Sequence, residues 1–393
     1  HPGEATAGCA TDYGKRVEIR INKKIARLAI FFIYPAGNNF ESSNYYFCKR
    51  LQKRLQAGGS GLVNIKEVAA EAGVSASTVS RVLTGNIPVS ESTKSRVLAA
   101  VEKLNYQPNA CAQGLKGGRL HTIGLVIPNI RNLVFPAAIR GIEDTAGKHG
   151  YTVVLCNTDE ELDKERLYID NLRRRLIDGF IFSTARPGHE YLLDLPGEGV
   201  PVVFLIRQLG KKVDAVVLNN EDGAYQATRY MISRGLKQIA LINGGLELPL
   251  YRDRYNGYLR ALQEAGLTEP PRMVIHGASG WEDGYLVMKD LLQHGHQPDG
   301  VLATSDPKAM GVIRAIHDAG LQVPADISVM GFDNLDFSSM TDPPLTTVAQ
   351  PFYEMGVRAC QRLIQLIEKG RHAKTKAKID VLPAELVIRK SVR

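Results

Sequence analysis

Residues 75–81 read Ser75-Ala76-Ser77-Thr78-Val79-Ser80-Arg81, short hydroxylated side chains closed by an arginine. Hydroxyls this close to the backbone can approach phosphates and base edges, and a guanidinium can reach guanine O6 and N7 with two hydrogen bonds. That chemistry requires a helix, with Val79 and Val82 facing inward and Ser77, Thr78 and Arg81 outward. The string supports a nucleic-acid recognition helix; the plainer reading is a small helical bundle whose hydroxyls are merely solvated.

The flanking residues supply what such a helix needs. Asn64 followed by Glu67 is a capping-box-like start for a first helix with Ile65, Val68 and Ala69 on one face, stopped by Gly73. Ser75 then caps the second helix, which runs through Leu83. A third begins at Ser90 and spaces Val97, Leu98, Val101 and Leu104 by three and four, enough to close a small core. Two short helices joined by a glycine turn and followed by a third describe a helix-turn-helix over 62–108.

The 393-residue chain is 44% hydrophobic and 23% charged, which excludes disorder and fibres. Its net charge of +8 is uneven: 10 basic against 4 acidic side chains in 1–61, 7 against 4 in 62–120, and 32 against 33 in 121–393. A basic segment on a nearly neutral body suits a polyanion-binding head joined to a sensing or catalytic domain. The five cysteines, Cys9, Cys48, Cys111, Cys156 and Cys360, form no Cys-x-x-Cys pair, against a disulfide framework or zinc finger and for a reducing compartment.

Residues 1–61 hold an apolar run at 28–34, clustered bases and Gly58-Gly59-Ser60-Gly61. The run is far short of the roughly 20 residues of a membrane span, and no convincing cleavage site marks a secretory signal. The first methionine is Met231. Residues 1–61 are therefore expected to be an unfolded leader outside the working protein, upstream of a start at Leu62 or Val63.

In 121–393, strands are expected at 123–127, 152–155, 179–182, 202–205 and 216–218, with helices between them. The rhythm restarts with helices 222–234, 252–264 and 282–293 and strands 239–242, 273–275 and 301–303. This pattern is α/β with parallel sheets, and its length suggests two lobes. Ligands of such sheets sit beyond strand C-termini, so facing lobes offer a cleft. Gly-x-Gly-x-x-Gly, Walker and His-Glu-x-x-His motifs are absent from the sequence, so neither an enzyme nor a cofactor is expected. His294 and His296 read as surface residues, and Cys156 and Cys360 as inert core thiols.

Several strings together resemble the lactose/galactose-repressor family of transcription regulators: Ile65-Lys66-Glu67-Val68-Ala69, Ala72-Gly73-Val74-Ser75, Thr78-Val79-Ser80-Arg81-Val82-Leu83, Val89-Ser90, Leu104-Asn105-Tyr106 and Pro108-Asn109. Further matches are Asn220-Glu221-Asp222-Gly223-Ala224, Arg254 with Gly257-Tyr258, Ser305-Asp306 with Ala309 and Gly311, Asp326-Ile327-Ser328-Val329, Gly331-Phe332-Asp333 and Pro344-Leu345-Thr346-Thr347-Val348. The resemblance runs from about 63 to 393. It implies a helix-turn-helix head on a two-lobed body like the periplasmic sugar-binding proteins, over 121–393, with crossovers near 219, 324 and 351. Lobe one would be 121–219 with 324–350, and lobe two 220–323 with 351–393.

The resemblance also implies roles. Ser75, Ala76, Ser77, Thr78, Arg81 and Asn86 would face DNA. Within a hinge and linker at 109–120, a helix from Asn109 would wedge Leu115 into the minor groove. An apolar wedge is a sensible kinking device, and Gly114 and Gly117-Gly118 make the segment a poor helix until DNA and a second protomer pack on it. Cys111, one turn from Leu115, would then approach its symmetry mate. By position, Arg254 and Asp306 would clamp a polar effector; a carboxylate accepts two hydrogen bonds and a guanidinium donates a planar fork. Val134, Phe135, Arg207, Ser279 and Trp281 complete the expected pocket, with departures. Asn132-Leu133-Val134-Phe135 lacks one aromatic of the usual pattern, Ile206 replaces a frequent Asp, and Ser279 stands where a stacking aromatic is usual. A simple hexose is correspondingly less favoured.

The expected protein is a cytoplasmic homodimeric repressor. It binds a near-palindromic operator in double-stranded DNA and answers to a small polar effector. No leucine-heptad tail follows Arg393, so a dimer is expected over a tetramer. The competing class, a transport binding protein, would carry a signal peptide and no helix-turn-helix.

Overall fold

In a computed structural model of the chain, the described residues are 63–84, 88–106, 120–174, 177–370 and 376–393, with Thr6–Ala7 and Ile19–Arg20 upstream. Those two upstream segments pair antiparallel, where the sequence suggested no fold. Asn86, Asn109, Cys111 and Leu115 lie outside the described residues.

Helix α1, Ile65–Ala72, starts as its sequence demands. Asn64 Oδ1 accepts from the N–H groups of Lys66 and Glu67 at 2.9 and 3.2 Å, and Asn64 Nδ2 donates to Glu67 Oε1 at 2.7 Å. Gly73 ends the helix at φ 62°, a left-handed conformation that glycine adopts without penalty. Helices α2, Ala76–Thr84, and α3, Glu91–Lys103, close a core of Val68, Ala69, Ala72, Val79, Val97 and Ala100. Leu98, expected in that core, is 47% exposed; α3 turns Ala100 inward instead. A Lys103–Glu71 ion pair at 2.6 Å joins α3 to α1.

In the body, β1 is Thr122–Ile127, α4 Phe135–Lys148, β2 Thr152–Asn157, α5 Leu162–Arg174, β3 Gly179–Phe182, β4 Val202–Leu205 and β5 Asp214–Leu218. Next come α6 Asn220–Ser233, β6 Ile239–Ile242, α7 Pro249–Glu264, β7 Val274–Ile275, α8 Trp281–Gln293, β8 Gly300–Ala303, α9 Asp306–Asp318 and β9 Ser328–Met330. The chain closes with β10 Thr347–Ala349, α10 Phe352–Lys369, β11 Ile379–Leu382 and β12 Glu385–Val387. The first sheet has the order β11-β5-β4-β3-β1-β2 and is parallel throughout. The second, β9-β8-β6-β7, is also parallel, and β10 pairs with β12 antiparallel. Parallel strands buried on both faces read as the continuous apolar runs seen here. Cys156 and Cys360 are buried among them, which pushes both thiols up, to about 11 and about 12.

The lobe boundaries expected from the sequence are corrected. Strand β9 pairs with β8, so the chain does not change lobes near 324. Residues 328–349 stay with the second lobe, where Met330, Phe332 and Val348 share a core with Ala227 and Tyr258. Helix α10 instead packs Phe352, Met355 and Leu363 into the first lobe's core, and β11 extends the first sheet. Strand β12 returns to β10. The crossovers therefore fall near 219, 351 and 383.

The paired helices touch through glycines. A Cβ at Gly257 would lie 2.0 Å from Glu221 O, at Gly311 2.0 Å from Trp281 O, and at Gly141 2.1 Å from Tyr353 O. Gly257→Ala must therefore push α7 off α6, and about 1–3 kcal/mol of stability should be lost in chemical denaturation. Gly147→Ala, with nothing within 4 Å of the added methyl, should show no such loss.

Candidate functional site

The head presents one surface built at the start of α2. Ser75 Oγ accepts from the Thr78 N–H at 3.2 Å and lies 2.7 Å from Ser77 Oγ and 2.9 Å from Thr78 Oγ1. Three hydroxyls gathered at a helix N-terminus suit a phosphate. Ser77 and Arg81 are exposed, Arg81 in the last turn, while Ala76 leans on the head core.

In the body, the polar residues gather past strand C-termini. Arg254, on α7, is only 3% exposed. Its Nε donates to Asn220 Oδ1 at 2.8 Å and one Nη to the Thr304 carbonyl at 2.6 Å. The guanidinium lies 3.7 Å from the centre of the Phe332 ring and 5.5 Å from that of Tyr251. Burial lowers its pKa. Arg207, just beyond β4, pairs with Glu160 at 2.9 Å, and Glu160 also meets Arg186 at 3.3 Å. Arg186 Nε donates to His189 Nε2 at 3.1 Å, while His189 Nδ1 lies 2.8 Å from the buried Glu165. A relay anchored in the first lobe thus holds Glu160 and, through it, Arg207.

Asp306 is fully buried, but its two oxygens are already engaged. Thr347 Oγ1 donates to Oδ1 at 2.6 Å and the Leu335 N–H to Oδ2 at 2.8 Å. The Leu335 side chain lies in the first lobe's core, so this carboxylate in the second lobe ties down a segment that reaches into the first. The structure gives Asp306 a stapling place rather than that of an open clamp. Ser279 is also committed: its N–H and hydroxyl both donate to Asp283 at 2.7 Å, capping α8. Trp281 is 56% exposed at the start of α8. Phe135 is a buried core residue of the first lobe, with Val134 packed beside it.

Asp333, which the sequence reading names within Gly331-Phe332-Asp333 without a site role, lies in the same zone. It stands three residues past β9 at φ 127°, 3% exposed, held by Gln350 Nε2 at 2.6 Å. Burial raises its pKa, and the charges of Arg254 and Lys308 oppose that rise. Its position beyond a strand C-terminus was the available signal. Buried polar atoms without protein partners occur in the same zone: Ser183 Oγ just past β3, Asn243 Oδ1 just past β6 and Gln208 Oε1 beyond β4. Such atoms call for a water or a ligand. A separate groove of about 850 Å³ on α8 and β7 is lined by Arg272, Leu286 and His296 and contains none of these groups.

Burial and the nearby Asp333 carboxylate push Asp306 up to about 8. A carboxyl raised in the folded state contributes stability that is complete below the ordinary carboxylate range and is lost as pH rises through its folded value. The unfolding midpoint should therefore fall as pH rises from about 4 to about 8 and level off above, and Asp306→Asn should flatten that slope.

Known proteins resemble both the head and the body. Residues 64–109 match the model of bacterial regulatory proteins of the lacI family, and 228–392 that of the periplasmic binding protein-like domain. Catabolite control protein A of Priestia megaterium is 35% identical over 333 residues, covering 84% of this chain and 99% of that protein. The ribose operon repressor of Halalkalibacterium halodurans is 36% identical, with 84% and 98% covered. Among solved structures, the Lac repressor dimer bound to operator and an anti-inducer superposes with TM-score 0.76 at 29% identity, covering 84% of this chain and 99% of that one. A CelR regulator–cellobiose complex gives 0.64 at 28% identity, with the same coverage. These relatives are regulators, not enzymes, and the chain belongs to the lacI family of bacterial transcription regulators.

Proposed function

We propose that this regulator is a cytoplasmic homodimeric repressor whose operator affinity is set by a small polar ligand held between the lobes of its body. The observation that carries this reading is the gathering of Arg254, Asp333 and unsatisfied polar atoms past the C-terminal strand ends of a two-lobed α/β body. Arg254 donates to the ligand, Asp333 accepts from its hydroxyls, and Arg207 closes the site from the first lobe. Ser75, Ser77 and Thr78 meet operator phosphates and base edges, and Arg81 reads a guanine in each half-site of a near-palindrome. Asp306 fixes the segment whose Leu335 side chain reaches into the first lobe's core. Ligand changes operator affinity to the extent that it binds the two body states unequally. Selection of operators from random DNA tests the reading: it predicts two half-sites related by a dyad, each with a guanine whose preference depends on Arg81. Recovery of no preferred sequence would overturn it.

A further inference from the structure

Lys308 lies in the first turn of α9 and is completely buried. Its ammonium donates to Ser305 Oγ at 3.3 Å and sits 4.9 Å from the centre of the Tyr251 ring, with no ion pair among the described residues. Arg254 flanks the same ring, and its hydrogen-bond partners are an amide oxygen and a carbonyl, both neutral. Arg389, which lies close enough to Asp306 to lower its pKa, also bonds only neutral groups: Ser338 Oγ, the Leu345 carbonyl and Asn334 Oδ1. Buried cations are ordinarily paired, and a cation at a helix N-terminus opposes the helix dipole. Neither of the two buried cations that flank Tyr251 has a carboxylate within ion-pair distance among the described residues; the acids that face them, Asp333, Asp253 and Asp283, act from farther off. Both buried cations are thus left with neutral hydrogen-bond partners only. The unpartnered Asn243 Oδ1 belongs to the same surroundings, since Asn243 Nδ2 donates to the Tyr251 carbonyl at 3.0 Å.

We infer that the ligand of this site is a hydroxylated organic anion whose charged group lies between Lys308 and Arg254 and whose hydroxyls are taken by Asp333. The inference rests on the proposed ligand site between the lobes and adds the ligand's charge class. A sugar phosphate and a sugar acid share that chemistry. Inorganic phosphate supplies the charged part alone and probes the cation pair directly.

The test uses the full chain and three matched ligand sets, each a neutral sugar, its phosphate and its acid, in calorimetry. Inorganic phosphate is titrated separately against chloride at equal ionic strength, with the thermal midpoint as readout. The anionic members should bind at least 10-fold tighter than their neutral parent, and the stronger of phosphate and acid identifies the charged group. Phosphate should raise the midpoint of the wild type. Lys308→Met, which keeps the length of the stem, should remove both effects, and Lys308→Arg should retain them. Equal affinity for neutral and charged members, or no stabilisation by phosphate, overturns the inference. So does a charge preference that survives Lys308→Met. Anion binding at Lys308 with no change in operator affinity would instead sink the regulatory reading and leave the charge class standing; operator release by a neutral sugar would do the reverse.

Discussion

Asp306→Ala should cost the body about 3 kcal/mol of unfolding free energy, since it strips two buried donors, the Thr347 hydroxyl and the Leu335 N–H, of their acceptor. Asp333→Asn should cost much less. Its retained carbonyl oxygen can still accept from Gln350, while the charge that answers Arg254 and Lys308 is lost. The two substitutions should separate cleanly: one lowers the denaturation midpoint, the other leaves it near wild type and abolishes the response of operator binding to ligand. Denaturant unfolding and operator titrations on both variants decide the matter. A stable Asp306→Ala that has lost its ligand response would restore Asp306 as the ligand contact.

The second large effect belongs to the head. Arg81 is exposed on α2 one turn beyond the hydroxyl cluster of Ser75, Ser77 and Thr78, and Val79 behind it is fully buried. The inward valines fix the face that the arginine presents, so its removal should not disturb the three-helix core. Arg81→Ala should lose about 1–3 kcal/mol of specific binding, roughly 10- to 100-fold, and relax the preference at one guanine per half-site. Binding to unrelated DNA should fall much less, because phosphate contacts carry that part. An equal fall on specific and unrelated DNA would show that Arg81 contacts phosphate rather than a base.

The head was legible because its signals are local. Asn64 and Glu67 are three residues apart and bond each other, and Gly73 stops α1 where its sequence says it should. Leu98 was misplaced because a 3.6-residue period does not say which of two adjacent apolar residues faces in, and α3 chose Val97 and Ala100. The strands of the body were legible from their apolar runs, but their partners were not. Ser328–Met330 is three residues long and contains nothing that says which sheet it joins. Only its register with Gly300, Val301 and Leu302 does. The same limit hides how Asp306 is bonded. A carboxylate's free valence depends on partners far along the chain, and those of Asp306 come 29 and 41 residues later. Arg254, by contrast, bonds to groups 34 and 50 residues away and is buried beside a strand-end crevice, so its proposed role keeps its geometry.

Ligand held by Arg254, Lys308 and Asp333 is expected to set operator affinity. Fluorescence anisotropy of a selected operator, titrated with protein in the presence and absence of the tightest-binding hydroxylated anion, measures it directly. The expected result is a shift of operator Kd of at least 10-fold in the wild type that vanishes in Asp333→Asn. An operator Kd unmoved by saturating ligand, or moved equally in Asp333→Asn, would contradict it.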